Sequence, residues 1–187
     1  LTSTSEEWTT IEKTTELEAP EYEIGDYGTY YFYAKDEVGN ISKAEIKAGK
    51  LVASTKIGES ITYHTSVQDA INNAGTSEAT VTLLEKAKEE ITIDTEQNIT
   101  LNLHGNTLTN NGLSSGNIII NAGNLTINDN LKTGKIYSNY SGTHAYNSIN
   151  NKRILNVESG IIEIYSEECP AIDNLGTVKI TGGTIKA

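Results

Sequence analysis

From residue 79 onward the chain alternates short aliphatic pairs with polar positions. Val81 and Leu83 are followed by Ile91 and Ile93, then by Ile99, Leu101, Leu103 and Leu108, with Thr, Asn and Asp between them. Strict alternation over a few residues marks half-buried strands. "GNLTI" at Gly123, "GIIEI" at Gly160 and "GTVKI" at Gly176 repeat one wording, aligning Leu125 and Ile127 with Ile162 and Ile164 and with Val178 and Ile180. Two further Gly-x-Ile units follow, Gly134 to Ile136 and Gly183 to Ile185. A unit with two or three inward side chains per strand buries no core alone. Stacked coils do, because their aliphatics form one apolar column and their backbones pair between coils. The repeat therefore predicts a parallel β-solenoid. A β-sandwich of short strands with Asn/Gly turns has the same signature and stays open.

Ahead of these strands, "TSVQDAINNAG" changes period. Val67, Ala70, Ile71 and Ala74 share one helical face, Ser66 with Asp69 three residues on suits the N-cap, and Gly75 suits the C-terminal stop. One short amphipathic helix is expected here and no second one downstream, which disfavours βαβ units.

The stretch before residue 48 is different again, and holds Trp8, Phe32, Tyr22, Tyr27, Tyr30, Tyr31 and Tyr33. "YGTYYFYAKDEVGNISKAEIKA" reads as two strands around a tight turn, in which Asp36, Gly39 and Asn40 supply local hydrogen bonds and positive φ. The break in composition near residues 48–54 divides the chain into two domains.

With 14 Lys and Arg against 25 Asp and Glu, a formal charge of −11 and one arginine, Arg153, the chain has no patch to neutralise phosphates. A nucleic-acid partner is excluded. The lone Cys169 allows no internal disulfide. His64, His104 and His144 lack metal-ligand spacing, and the nonapeptide calcium repeat is absent, so no metal or cofactor is assigned. No stretch approaches the ~18 apolar residues of a membrane span, and membrane insertion of this stretch is not expected. Starting without methionine and stopping in mid-pattern at "GGTIKA", the sequence looks like a piece of a longer protein.

Gly28, Tyr30, Tyr33, Asp36, Gly39 and Asn40 match a G-x-Y-x-x-Y-x-x-D-x-x-G-N hairpin that is similar to the last two strands of bacterial immunoglobulin-like modules. The helix and the strands after it resemble right-handed parallel β-helices of the pectate-lyase-like superfamily, closest in wording to β-helix regions of large Gram-positive surface proteins. Together these resemblances imply an all-β chain: residues 1–48 the C-terminal part of an immunoglobulin-like β-sandwich, 49–64 a linker and entry strand, and 65–187 a short N-terminal capping helix with the first coils of a right-handed parallel β-helix. They imply an extracellular location on a bacterial cell surface or wall.

Enzymes of that superfamily converge carboxylates, with calcium or an arginine, on one coil face. Here Asp94, Asp129, Asp173, Glu158, Glu163, Glu167 and Glu168 are scattered, no D-x-D or D-D pair occurs, and no catalytic residue is assigned. The expected function is a non-enzymatic structural or adhesive module that contacts carbohydrate or a host surface protein. The alternative is the N-terminal part of a polysaccharide lyase or glycoside hydrolase whose catalytic coils lie downstream. For ligand contact the candidates are Tyr137, Tyr140, His144 and Tyr146, gathered in a polar insertion between Ile136 and Ile154, because sugars stack on exposed aromatic rings. The competing account is a solvated loop whose tyrosines pack on the coil beneath.

Overall fold

A computed structural model describes residues 28–36, 38–110, 116–138, 147–165 and 169–187. It divides into two compact units, one ending at Lys50 and the other spanning Leu51–Ala187.

In the first unit, β1 (Gly28–Lys35) and β2 (Ile41–Ala48) pair antiparallel from Gly28 opposite Ala48 to Lys35 opposite Ile41. Asp36 holds the turn. One carboxylate oxygen accepts from the backbone N–H of Val38 at 3.0 Å and of Asn40 at 2.8 Å, the other from the Asn40 side-chain amide at 2.7 Å. Gly39 supplies the positive φ, +96°.

The second unit opens with an antiparallel hairpin, β3 (Ala53–Ile57) and β4 (Ser60–His64), in a region where the sequence suggests a single entry strand. Helix α1 (Val67–Ala74) follows, with Ser66 Oγ accepting from Asp69 N at 3.0 Å and Gly75 closing its C-terminus. The chain then winds in strand triplets: β5 (Glu78–Leu83), β6 (Ala87–Lys88), β7 (Ile91–Ile93); β8 (Asn98–Asn102), β9 (Thr107–Thr109), β10 (Ile119–Asn121); β11 (Asn124–Asn128), β12 (Lys135–Ser138), β13 (Ile149–Asn151); β14 (Ile154–Val157), β15 (Ile161–Ile164), β16 (Ile172–Asn174); and finally β17 (Thr177–Ile180), β18 (Thr184–Lys186). Each strand of a triplet joins its own sheet. The sheets run β17-β14-β11-β8-β5-β3-β4, β18-β15-β12-β9-β6 and β16-β13-β10-β7, and every pairing is parallel except those made by β3. This is a parallel β-solenoid.

The stacking explains the alternation. Ile99, Leu125 and Leu155 are successive Cα partners in the seven-stranded sheet and are fully buried, as are Leu108, Ile136 and Ile162 in the five-stranded one. Burying such side chains stabilises each coil by about 1.5–3 kcal/mol per residue relative to exposure.

The register corrects the repeat as the sequence presents it. Leu125 pairs with Leu155 and Leu155 with Val178, whereas Ile162 pairs with Ile136 and Ile185. The copy at Gly160 therefore lies on a different face from those at Gly123 and Gly176. All faces share the inward alternation, so similar wording arises at two different corners.

Helix α1 lies against β3, β4, β5 and β7, and the four aliphatic positions of its predicted face are buried in the core. Polar contacts tie it to the first coil. The Glu89 carboxylate accepts from Val67 N at 2.9 Å and Gln68 N at 3.2 Å, answering unpaired donors at the helix N-terminus, and Gln97 Nε2 donates to Ile71 O at 3.1 Å. An exposed cross-section of the apolar column is thereby covered.

Candidate functional site

On β12, Ile136 and Ser138 point inward and are fully buried, which turns Lys135 and Tyr137 to the exterior of the five-stranded sheet. Across that face the register sets Thr109, Tyr137, Glu163 and Lys186 in one row. The Lys135 ammonium stands 5.0 Å from the centre of the Tyr137 ring and 3.9 Å from Glu163 Oε2. Ring, cation and carboxylate form a compact polar-aromatic patch. At a partly exposed site the cation–π contact is worth about 0.5–1 kcal/mol and the ion pair about as much or less.

Tyr165 extends the patch and escaped the sequence reading. Its backbone N–H donates to Ser138 O at 3.0 Å, which places it at the end of β15 on the neighbouring coil, and it is 71% exposed. The signal was available: it is two positions beyond Glu163, in phase with the outward residues. Of the four candidate ligand residues only Tyr137 is placed; Tyr140, His144 and Tyr146 lie outside the described residues.

Of the scattered carboxylates, Asp129, Glu158, Glu163 and Asp173 have structural partners, and Glu167 and Glu168 lie outside the described residues. Asp129 is 1% exposed, with Oδ1 accepting from Gly105 N at 2.7 Å and Oδ2 from Gly134 N at 2.6 Å, while its own N–H donates to Ser159 Oγ at 2.6 Å. It joins the corners of three successive coils. A side chain at Gly134 would strike Leu103 Cβ at 2.6 Å, so only glycine lets this carboxylate and the neighbouring coil come so close. Glu158 accepts from Asn128 at 3.2 Å, Asp173 from Asn150 at 3.4 Å, and the guanidinium of Arg153 donates to Thr95 O. Among the described residues no three His, Cys, Asp or Glu side chains gather to hold a metal ion. No helix among them is long and apolar enough to cross a membrane.

A second feature missed in the sequence is an asparagine ladder. Asn121, Asn151 and Asn174 are successive Cα partners, and each amide donates to the next oxygen: Asn121 Nδ2 to Asn151 Oδ1 and Asn151 Nδ2 to Asn174 Oδ1, both at 2.7 Å. Asn121 and Asn151 are fully buried at the corner leading into the seven-stranded sheet. Their signal is an Asn four residues ahead of each Leu or Val of one column, Leu125, Leu155 and Val178.

Compared with known proteins, the chain matches no family, no curated protein and no solved structure.

Proposed function

We propose that the chain is a non-enzymatic structural and adhesive module of an extracellular bacterial surface protein, in which the end of an immunoglobulin-like domain precedes a right-handed β-helix whose flank contacts glycans. The observation that carries this reading is the outward pair Tyr137 and Tyr165 on adjacent coils, beside Lys135 and Glu163. Two aromatic rings with polar neighbours offer stacking and hydrogen bonding to a sugar without any group poised to cleave it. Supporting it from the other side, Asp129 is buried and each of its carboxylate oxygens accepts from a backbone N–H, which gives it a structural role at the coil corners. The β1–β2 hairpin supports the immunoglobulin-like assignment of the first unit.

The test is a glycan-array screen of the whole chain, run beside a cleavage assay on acidic and neutral polysaccharides with and without calcium. Binding without turnover is expected, and Tyr137→Ala with Tyr165→Ala should abolish it while leaving thermal unfolding within a few degrees of the parent. Turnover of any polysaccharide would overturn the non-enzymatic reading, and binding that survives both substitutions would remove the tyrosines from the site.

A further inference from the structure

Strand β4 is the outermost strand of the seven-stranded sheet, bonded on one side to β3 and on the other to no strand among the described residues. Proteins usually blunt such an edge with proline, with lysine or with a bulge. Ser60–His64, "SITYH", has none of these devices and consists largely of residues that favour strands. It also displays apolar surface. Ile61 is 53% exposed and Tyr63 57%, and the register sets them opposite Lys56 and Ser54 on one face of the sheet.

The order of side chains in this strand is complementary to itself. Set antiparallel against a second β4 about an axis through Thr62, Ile61 of each copy falls opposite Tyr63 of the other, and the two Thr62 residues face one another. Aromatic–β-branched and Thr–Thr pairs are among the cross-strand combinations that stabilise antiparallel sheets. An isologous contact of this kind closes on itself at β4, and β17, at the opposite end of the sheet, takes no part in it. We propose that β4 pairs with β4 of a second copy of this chain in this register, carrying the seven-stranded sheet across a two-fold axis. The pairing also covers the exposed faces of Ile61 and Tyr63, whose burial adds a hydrophobic term to the backbone bonds.

Analytical ultracentrifugation of the full chain tests the association. A concentration-dependent monomer–dimer equilibrium is expected. A chain that stays monomeric up to about 1 mM, the weak end of specific association, overturns the proposal, whether the edge is then bare or covered from within the same chain. The double variant Ile61→Glu, Tyr63→Glu sets like charges directly opposite one another across the two-fold axis and should abolish the dimer, whereas within one chain position 61 faces Lys56, so the thermal unfolding midpoint of the monomer should not fall. A dimer that persists in this variant uses another surface and refutes the assignment. The register is read by cysteine cross-linking in a Cys169→Ala background: Thr62→Cys faces its own copy and should form a disulfide-linked dimer in high yield, whereas His64→Cys faces Ser60 and should not. Equal cross-linking at both positions would exclude the two-fold axis at Thr62.

Discussion

The side chain of Gln68 and the backbone of Thr92 are bonded in both directions: Thr92 N donates to Gln68 Oε1 at 2.8 Å, and Gln68 Nε2 donates to Thr92 O at 3.1 Å. Thr92 is the middle residue of β7, the edge strand of its sheet, and its Cα partner on the next coil is Ile120. On its other side no strand among the described residues pairs with it. A primary amide presents an N–H and a C=O side by side, so Gln68 stands where the backbone of an earlier coil would stand, and its second N–H donates to Asn72 Oδ1 at 3.0 Å. The helix thus closes the solenoid twice, with its aliphatic face over the column and with one amide against the strand edge.

Replacing Gln68 by alanine should therefore cost about 1 kcal/mol or somewhat more, because two edge groups lose their partner while water retains partial access. Gln68→Glu keeps the acceptor but sets a carboxylate against the Thr92 carbonyl. Urea unfolding at neutral pH should show it at least as unstable as the alanine variant, with part of the loss recovered in acid, where a protonated carboxyl can donate. A Gln68→Glu protein as stable as the parent at neutral pH would mean that the Thr92 bonds carry no weight.

A comparable cost is expected inside the asparagine ladder, where water cannot soften it at the buried rung between Asn121 and Asn151. The Asn151 amide nitrogen serves Asn174 Oδ1 at 2.7 Å and Thr177 O at 3.1 Å, and its oxygen accepts from Asn121 at 2.7 Å. Truncation to alanine leaves one N–H of the buried Asn121 amide short of a partner, at about 1–3 kcal/mol, whereas the exposed Asn174 can turn to water. Asn156→Ala, on the outer face, should stay within about 0.5 kcal/mol of the parent. Denaturant midpoints of the two variants decide the matter, and equal effects would show that the ladder is not a stabilising element.

The residues that were legible in the sequence are those whose signal is local. Ser66, Asp69 and Gly75 announce the helix ends by their own side chains and conformations, and Val81, Leu101 and Ile127 announce their inward direction by a period of two. Which sheet a strand joins is not local information. Ile162 and Leu155 each follow an isoleucine and precede a polar residue, Glu163 and Asn156, in the same phase, and only the lengths of the intervening corners decide that one stacks on Ile136 and the other on Leu125. The ladder was hidden for a different reason: in a chain rich in asparagine, Asn121, Asn151 and Asn174 are marked only by a shared distance from one column of aliphatics. The outward phase of Tyr165 is masked by Ser166 and the acidic pair Glu167 and Glu168 that follow it, which read as a loop.

The turn of the first unit makes a prediction in acid. Asp36 has its carboxyl held below the ordinary value of 3.8, first by the Asn40 side-chain amide and then by backbone N–H groups of the turn, all of which favour the ionised form. A group whose folded value is depressed contributes stability that is fully present above its unfolded value and is lost as pH falls through the folded one. The β1–β2 hairpin should accordingly keep its turn bonds above pH 3.8 and loosen only at more acidic pH. A carboxyl-carbon NMR titration should give Asp36 a midpoint below 3.8, and Asn40→Ala, which removes the leading cause, should raise that midpoint towards 3.8. An Asp36 midpoint that does not respond to Asn40→Ala would mean that the side-chain bond between them does not hold the turn.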